Sequence, residues 1–223
     1  MNIKVFFAVL LTVFYTSLRA ELIDDSVAYS MGIQIAINLQ KQGVLDKFEQ
    51  NASFVEAFKD MRYGQSKMTL QEMERVLTKY FNDLVAREKA ENGAMGQVFL
   101  EKNAKEQGVV VLPSGLQYKI VKQGAGTVKP TPADSVEVHY TGSLVNGKVF
   151  ESSRNTGVPV KFLLNGVITG WKEGLQQITE GGTIMLYIPP AMAYGDRVMQ
   201  GSQIGPNSTL IFEIELLKII AAK

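Results

Sequence analysis

Residues 209–216 read TLIFEIEL, and they carry the clearest structural signal in this chain of 223 residues. Apolar side chains recur there at every second position, and two glutamates stand between them. The apolar side chains that would share one face are those of Leu210, Phe212, Ile214 and Leu216. A period of two is typical of a β-strand that covers a core with one face and meets solvent with the other. The stretch therefore predicts an antiparallel sheet in the second half of the chain.

Other segments in this half support the same architecture. Three of them, residues 116–120, 136–140 and 183–188, also have strand character. The Asn-Gly pair at residues 146–147 is preferred in two-residue turns and predicts a hairpin. One segment of helical character, residues 170–178, interrupts the strands. An antiparallel sheet wrapped around one short helix is the expected packing, so the fold class is α+β.

The first half of the chain has a different composition. Residues 21–107 contain no proline and only five of the twenty glycines, which favours helices. Ser26 can cap a helix running to about Gln42. Residues 53–56 (SFVE) and 69–72 (TLQE) are capping boxes, in which a hydroxyl and a carboxylate bond to backbone N–H groups at the helix start. Three helices are therefore predicted before the sheet.

The third of these helices is predicted to continue to Glu106. Its apolar stripe thins beyond Leu84, so its second half is expected to have little of its own chain to pack on. Residues 93–96 (GAMG) interrupt it with two poor helix formers, each costing about 1 kcal/mol relative to alanine. They are either a tolerated weak spot or a bend between two bodies.

These segments divide the chain into a helical module at residues 21–68, a connecting helix at 69–107 and a sheet domain at 108–223. The helical module is small and would bury little apolar surface as a monomer. A second copy would bury it better, which favours a dimerisation module; the alternative is a self-sufficient three-helix cap. The apolar side chains expected at the dimer interface are Met31, Ile35, Phe54, Phe58 and Met61.

Residues 1–20 have the character of a signal peptide. Lys4 precedes an uncharged stretch at residues 5–15, and Ala20 offers a cleavage position. The stretch is too short to cross a bilayer and fits a secretory leader. A buried N-terminal helix is the alternative. We expect an exported protein.

Composition excludes several classes of chemistry. The chain has no cysteine, which excludes disulfides, thiol nucleophiles and thiolate metal sites. It has one histidine, so two-histidine metal sites cannot form within one chain. The formal net charge of +1 does not indicate a nucleic-acid surface. The sequence therefore predicts a protein that works without metal or cofactor.

Apolar and aromatic residues are unusually frequent in and around the predicted loops of the sheet domain. The candidates are Tyr140, Phe150, Phe162, Val167, Ile168, Trp171, Tyr194, Ile204 and Phe212. Each of them alone is more often a core residue than a site residue. Apolar residues in loops, however, favour the mouth of an apolar pocket.

Five motifs in this half resemble the successive signatures of FKBP-type peptidyl-prolyl cis-trans isomerases. They are residues 138–142 (VHYTG), 147–153 (GKVFESS), 167–171 (VITGW), 193–195 (AYG) and 209–216 (TLIFEIEL). The resemblance covers about residues 112–223, with the motifs in order. The helical half is similar to the dimerisation domain of the Mip-like (macrophage infectivity potentiator) members. The resemblance thus implies an FKBP-like sheet domain carried on helices that form a homodimer.

The resemblance also implies a site for the ring of a substrate proline. Trp171 would form its floor, and the Ile168 backbone N–H would bond to the substrate. The implied substrate-binding residues are Phe162, Val167, Ile168, Trp171, Ile204 and Phe212. The implied catalytic residues are Tyr140, Phe150, Glu151 and Tyr194, with the Tyr194 hydroxyl on a substrate carbonyl.

The sequence departs from the family pattern at three positions. Glu151 stands where the family usually has aspartate. Val160 replaces a frequent aromatic residue and Gly205 a frequent proline, which should alter peptide preference and affinity for macrolide ligands more than basic activity. The resemblance places His139 in a strand as a structural residue.

An apolar site of this kind suits prolyl isomerisation. The barrier of about 18–20 kcal/mol arises because the planar amide loses its resonance when it twists. The twisted state has less charge separation, so a dry pocket favours it and directed hydrogen bonds fix its carbonyl. The implied partners are proline-containing unfolded or exported proteins, in the periplasm or at the outer membrane. The alternatives are a proline-binding chaperone or surface factor and a helical interaction protein with a decayed pocket.

Overall fold

The computed structural model describes residues 30, 33–35, 37–38, 53, 56–57, 60, 67–199 and 202–222. The chain divides into two compact units, residues 1–80 and 81–223. In the first unit, the described residues before 67 are helical. The predicted leader lies outside the described residues, as do most residues of the first two predicted helices and Met31, Phe54, Phe58 and Met61 of the predicted dimer interface.

Helix α1, Leu70–Asn103, is the long helix predicted from the second capping box. The Thr69 N–H donates to Glu72 Oε2 at 2.8 Å, and the Glu72 N–H donates to Thr69 Oγ1 at 3.2 Å, so the box is formed. The helix is continuous through Gly93 and Gly96. Among the described residues, no helix has both the length and the apolar character needed to cross a bilayer.

The second half of α1 packs against the sheet domain, so the prediction that it has little to pack on is wrong. The rings of Phe99 and Tyr187 lie 5.9 Å apart. Asn103 Nδ2 donates to Gln117 Oε1 at 2.8 Å, and Gln117 Nε2 donates to the Leu100 carbonyl at 3.0 Å. Small and polar residues make much of this contact, which is why the apolar stripe did not reveal it.

The sheet domain contains seven strands and one short helix. The strands are β1 (Val109–Val111), β2 (Gln117–Lys122), β3 (Ser135–Leu144), β4 (Val149–Ser152), β5 (Val160–Leu163), β6 (Thr183–Ile188) and β7 (Leu210–Ile220). Helix α2, Thr169–Leu175, lies between β5 and β6 and is three residues shorter at its C-terminal end than predicted. The four segments of strand character and the hairpin between β3 and β4 are confirmed, whereas β1 and β5 were not predicted.

All strand pairs are antiparallel, in the order β1-β2-β6-β7-β3-β4, and β5 also pairs with β3. Strand β7 lies between β3 and β6, so it is central. Its register sets Phe212 opposite Gly142 on β3 and opposite Leu186 on β6. The α+β fold class is confirmed.

The core lies between the sheet and α2. The alternating residues predicted to face inward on β7 are all buried, namely Leu210, Phe212, Ile214 and Leu216. Helix α2 approaches β6 closely because two of its residues lack a side chain. A Cβ added at Gly170 would lie 2.8 Å from Ile188 Cδ1, and one at Gly174 would lie 2.7 Å from Leu186 Cδ1. This close approach brings Trp171 of α2 down onto the sheet.

Candidate active site

Five aromatic side chains meet where α2 faces the sheet. We call them the aromatic cluster: Tyr140, Phe150, Phe162, Trp171 and Phe212. Trp171 is central, with ring centroids 5.2 Å from Tyr140, 5.5 Å from Phe162 and 5.2 Å from Phe212. The interplanar angles of these three pairs are 80°, 83° and 88°, the edge-to-face geometry that aromatic quadrupoles favour. The predicted aromatic residues therefore form one assembly.

Phe150 joins the aromatic cluster through Phe212, with centroids 5.6 Å apart at 84°. Gly142 on β3 makes room for this pair. A Cβ there would lie 2.6 Å from Phe150 Cζ and 2.7 Å from Phe212 Cε1, well inside van der Waals contact. Sequence reasoning did not assign Gly142 a part in the site, although a glycine in the middle of a strand is a signal of close approach.

Burial divides the aromatic cluster into a floor and a rim. Tyr140, Trp171 and Phe212 are only 6%, 4% and 4% exposed. Phe150 and Phe162 are partly buried and pack against the core. The arrangement leaves apolar ring surface accessible above a dry floor.

The predicted loop residues also pack against this core. Val167, Ile168 and Tyr194 are partly buried there, and Ile204 is 7% exposed. Ile168 immediately precedes α2, and its carbonyl accepts the Trp171 backbone N–H at 3.0 Å.

Two N–H donors in this region have no partner in the part of the chain that the structure describes. One is the backbone N–H of Ile168, and the other is the buried indole Nε1–H of Trp171. The Trp171 Nε1–H is enclosed by the protein, whereas Ile168 is only half-buried, so its N–H can be offered to a ligand or water acceptor.

Glu151 places a carboxylate beside the two tyrosine hydroxyls of the site. Burial raises the pKa of Tyr140 well above its ordinary value, and the neighbouring Glu151 carboxylate raises it further. Burial also raises the pKa of Tyr194, and the negative charge of Glu151 adds to the shift. Both hydroxyls therefore stay protonated near neutral pH, and each is a hydrogen-bond donor.

Two other polar residues near Glu151 have structural partners. Arg154 pairs with Glu215 at 3.0 Å and more loosely with Glu213 at 3.8 Å, both on β7. His139 Nδ1 lies 3.2 Å from Ser153 Oγ, which also accepts the Tyr140 backbone N–H at 2.9 Å. These contacts agree with the structural role expected for His139.

Within the described residues, no group of three His, Asp or Glu side chains is arranged to hold a metal ion. The aromatic cluster itself offers apolar surface and hydrogen-bond donors. Such an arrangement can bind a small apolar ring and orient a carbonyl beside it.

Two comparisons with protein families cover most of the chain. Residues 126–217 match the family described as FKBP-type peptidyl-prolyl cis-trans isomerase. Residues 24–120 match the domain amino terminal to FKBP-type peptidyl-prolyl isomerase.

Individual relatives and solved structures agree with these matches. "Outer membrane protein MIP" of Legionella longbeachae is 40% identical over 217 residues, covering 92% of this chain and 88% of the relative. "FKBP-type peptidyl-prolyl cis-trans isomerase FkpA" of Escherichia coli strain K12 is 38% identical, covering 88% of this chain and 76% of the relative. The crystal structure of FkpA from Escherichia coli superimposes with a TM-score of 0.67 at 34% identity, covering 91% of this chain and all of that chain (100%).

Proposed function

Because this chain belongs to the family of FKBP-type peptidyl-prolyl cis-trans isomerases and is an enzyme of that class, we propose that its aromatic cluster is the site at which it catalyses cis-trans rotation of X–Pro bonds. The observation that carries the proposal is the packing of three aromatic rings edge-on around the buried Trp171. Two unpaired N–H donors lie in the same region, on Ile168 and Trp171.

The prolyl ring of the substrate would rest on Trp171. The buried faces of Tyr140 and Phe212 extend this floor, and Phe150 and Phe162 stand at the rim. The loop residues Val167, Ile168 and Ile204 add aliphatic surface. A pyrrolidine ring is small and apolar, so burying it here is favoured by about 25 cal/mol for each Å² removed from water.

The chemistry needs no proton transfer, nucleophile or metal. Twisting the imide bond reduces its resonance and its charge separation, so water stabilises the twisted state less than the planar one. A substrate held on a dry floor has already lost that water, and the barrier falls.

Directed hydrogen bonds would then select the twisted geometry. The Tyr194 hydroxyl and the Ile168 N–H are the two donors proposed for carbonyls of the substrate. Glu151 would hold the Tyr140 hydroxyl by accepting its hydrogen bond, which keeps the Tyr140 ring in place beside Trp171. Each neutral hydrogen bond contributes on the order of 1 kcal/mol, so the dry floor and the donors act together.

The setting of the enzyme is also a proposal. The leader-like residues 1–20 and the likeness to a relative named as an outer membrane protein support a role outside the cytoplasm, in the periplasm or at the outer membrane. Its substrates would be exported proteins that contain proline and are still unfolded. Residues 21–68 would join two copies, and the aromatic cluster would also accept macrolide ligands.

Activity can be tested with two substitutions and two matched controls. In an assay that follows proline-limited refolding, Phe150→Ala should lower kcat/KM more than about tenfold because the rim loses a ring. Phe150→Leu should retain more activity than Phe150→Ala. Tyr194→Phe should lower kcat/KM about 3- to 10-fold through the loss of one hydrogen bond. Tyr118→Phe removes a tyrosine hydroxyl on β2, outside the cluster, and should change nothing.

Aggregation of an unfolded protein should be measured beside refolding, because it separates catalysis from holding. If the Phe150→Ala variant still accelerates refolding, the assignment of catalysis to the aromatic cluster is wrong. If acceleration is lost while aggregation is still suppressed, the holding activity resides elsewhere, and the site assignment stands.

A further inference from the structure

The loop after β6 carries two of the proposed site residues, Tyr194 and Ile204. Its two ends lie side by side, and we call residues 194–197 and 204–208 the loop stem. The Asn207 backbone N–H donates to the Gly195 carbonyl at 2.7 Å and joins them. Tyr194 is thus held by the local turn, in which the Gly195 N–H donates to the Pro190 carbonyl at 2.9 Å, and is also linked through Gly195 to the second half of the loop stem.

Helix α1 contacts both sides of the loop stem. On one side, Lys89 Nζ lies 2.7 Å from Asp196 Oδ2. On the other side, Asn92 Nδ2 donates to the Pro206 carbonyl at 2.9 Å, and Asn207 Nδ2 donates to the Lys89 carbonyl at 3.2 Å. All of these residues belong to the second compact unit, residues 81–223.

The amide contacts are the more significant of these. The side chains of Lys89 and Asp196 are 47% and 63% exposed, and an exposed ion pair contributes little. The bond from Asn92 to Pro206 is partly buried, so its loss would leave a backbone carbonyl without its partner. Asn207 has a φ of 58°, a left-handed conformation that asparagine tolerates better than most residues.

The glycines of α1 allow the helix to come this close. A Cβ at Gly96 would lie 3.2 Å from Thr209 Cβ and closer still to its hydroxyl. A Cβ at Gly93 would run into the side-chain amide of Asn207. The segment that the sequence marked as a weak spot or a bend is a contact surface for residues 207–209.

We propose that Asn92 and Asn207 are positioning residues for the isomerase reaction. They tie the loop stem to α1 and thereby set the place of the Tyr194 hydroxyl over the aromatic cluster. This inference rests on the proposed function, since it requires Tyr194 to act on the substrate. Neither asparagine needs to touch the substrate.

Two substitutions in the full chain remove the contact from opposite sides. Asn92→Asp replaces the donor with an oxygen that faces the Pro206 carbonyl. Asn207→Gly removes the side-chain amide but keeps the left-handed backbone and the N–H that bonds to Gly195. Gln97→Glu is the control, because it also turns an amide into an acid on α1, at an exposed side chain whose bond within the described residues is to Glu101.

Four quantities should be measured for each variant: kcat and KM for a proline peptide, the midpoint of thermal unfolding, and the NMR shift of the Gly195 amide. A donor displaced by a fraction of an ångström loses much of its effect on the transition state, so kcat should fall about fivefold or more. KM should stay within about twofold, since the aromatic floor is intact. The Gly195 amide should shift in both variants and stay in place in Gln97→Glu. A purely structural role would lower the unfolding midpoint without this loss of kcat.

The outcomes separate the inference from the function on which it rests. If both asparagine variants keep kcat within twofold of the unmodified chain while Phe150→Ala loses activity, the positioning role is overturned and the proposed function stands. An equal loss of kcat in Gln97→Glu overturns it as well. If Phe150→Ala keeps full activity, the proposed function itself fails. Should Asn92→Asp not fold, Asn207→Gly carries the same test from the other side of the contact.

Discussion

Adding one methyl group at Gly142 should disturb the site more than its size suggests. The new Cβ of Gly142→Ala would lie 2.6 Å from Phe150 Cζ, 2.7 Å from Phe150 Cε2 and 2.7 Å from Phe212 Cε1. Carbon atoms in contact are normally about 3.5–4.0 Å apart, so one or both rings must retreat by about 1 Å. The two rings are an edge-to-face pair, and their backbone is fixed by pairing of β3 with β7 and β4.

The cost can be worked from its parts. Overpacking a core with a methyl group costs about 1–3 kcal/mol, and losing an aromatic pair costs about 0.5–1.5 kcal/mol. Alanine in place of a strand glycine returns about 0.5–1 kcal/mol, because the unfolded chain has less freedom to lose. We expect the free energy of unfolding, measured in urea, to fall by about 2 kcal/mol, within a range of about 0.5–4 kcal/mol. A retreat of about 1 Å at Phe150 should lower kcat/KM about tenfold or more in the refolding assay.

Gly166→Ala is the matched control for this substitution. An added Cβ there meets nothing within 4 Å, and its φ is not in the left-handed range. It should leave kcat/KM close to that of the unmodified chain and raise the free energy of unfolding by no more than about 1 kcal/mol. If Gly142→Ala behaves like Gly166→Ala in both assays, the close packing of Phe150 on Phe212 is not what shapes the site.

Two further predictions concern stability and assembly. The backbone N–H and hydroxyl of Thr131 and the backbone N–H of Ala222 hold the pKa of Asp134 below its ordinary value. The contribution of the Asp134 carboxylate to stability is therefore present above about pH 4 and is lost as the pH falls through the lowered pKa. Asp134→Asn should therefore lower the free energy of unfolding at pH 7, and the difference from the unmodified chain should shrink below about pH 4; a difference independent of pH would contradict this. In sedimentation, residues 21–223 should form a dimer and residues 112–223 a monomer, and a monomeric 21–223 would refute dimerisation through the helical module.

The strands that could be predicted from sequence are those with one face buried and the other exposed to solvent. Strand β7 and the middle of β3 alternate for this reason, and their inward residues are those that the period of two indicates. Strand β1 is three valines, too short to show a period, and β5 was hidden because its four residues follow Gly157 and Pro159. Short strands acquire their state from the neighbour with which they pair, here β2 and β3.

The candidate site residues could be predicted in part because some apolar and aromatic residues stand in unusual places, such as Tyr194 in a loop. The sequence could not show how closely these residues pack against one another. Gly142 on β3 matters because it lies directly opposite Phe212 on the neighbouring strand β7. Gly96 matters because it packs from α1 against Thr209 of the sheet domain. Contacts between residues far apart in the chain leave no local pattern, so the role of a glycine there appears only in three dimensions.

The central place of β7 has a consequence for how the molecule is made. Its residues pair with β3 over ten positions and with β6 over six, so β6 lacks part of its partners until synthesis has passed Glu215, and β3 until it has passed Ile220. The other six strands of the sheet domain, α1 and α2 all leave the ribosome earlier, and Phe212 arrives last among the five rings. A nascent chain stopped short of β7 has an open sheet and no working site. Closure of the sheet, and with it assembly of the five rings, therefore comes at the very end of synthesis.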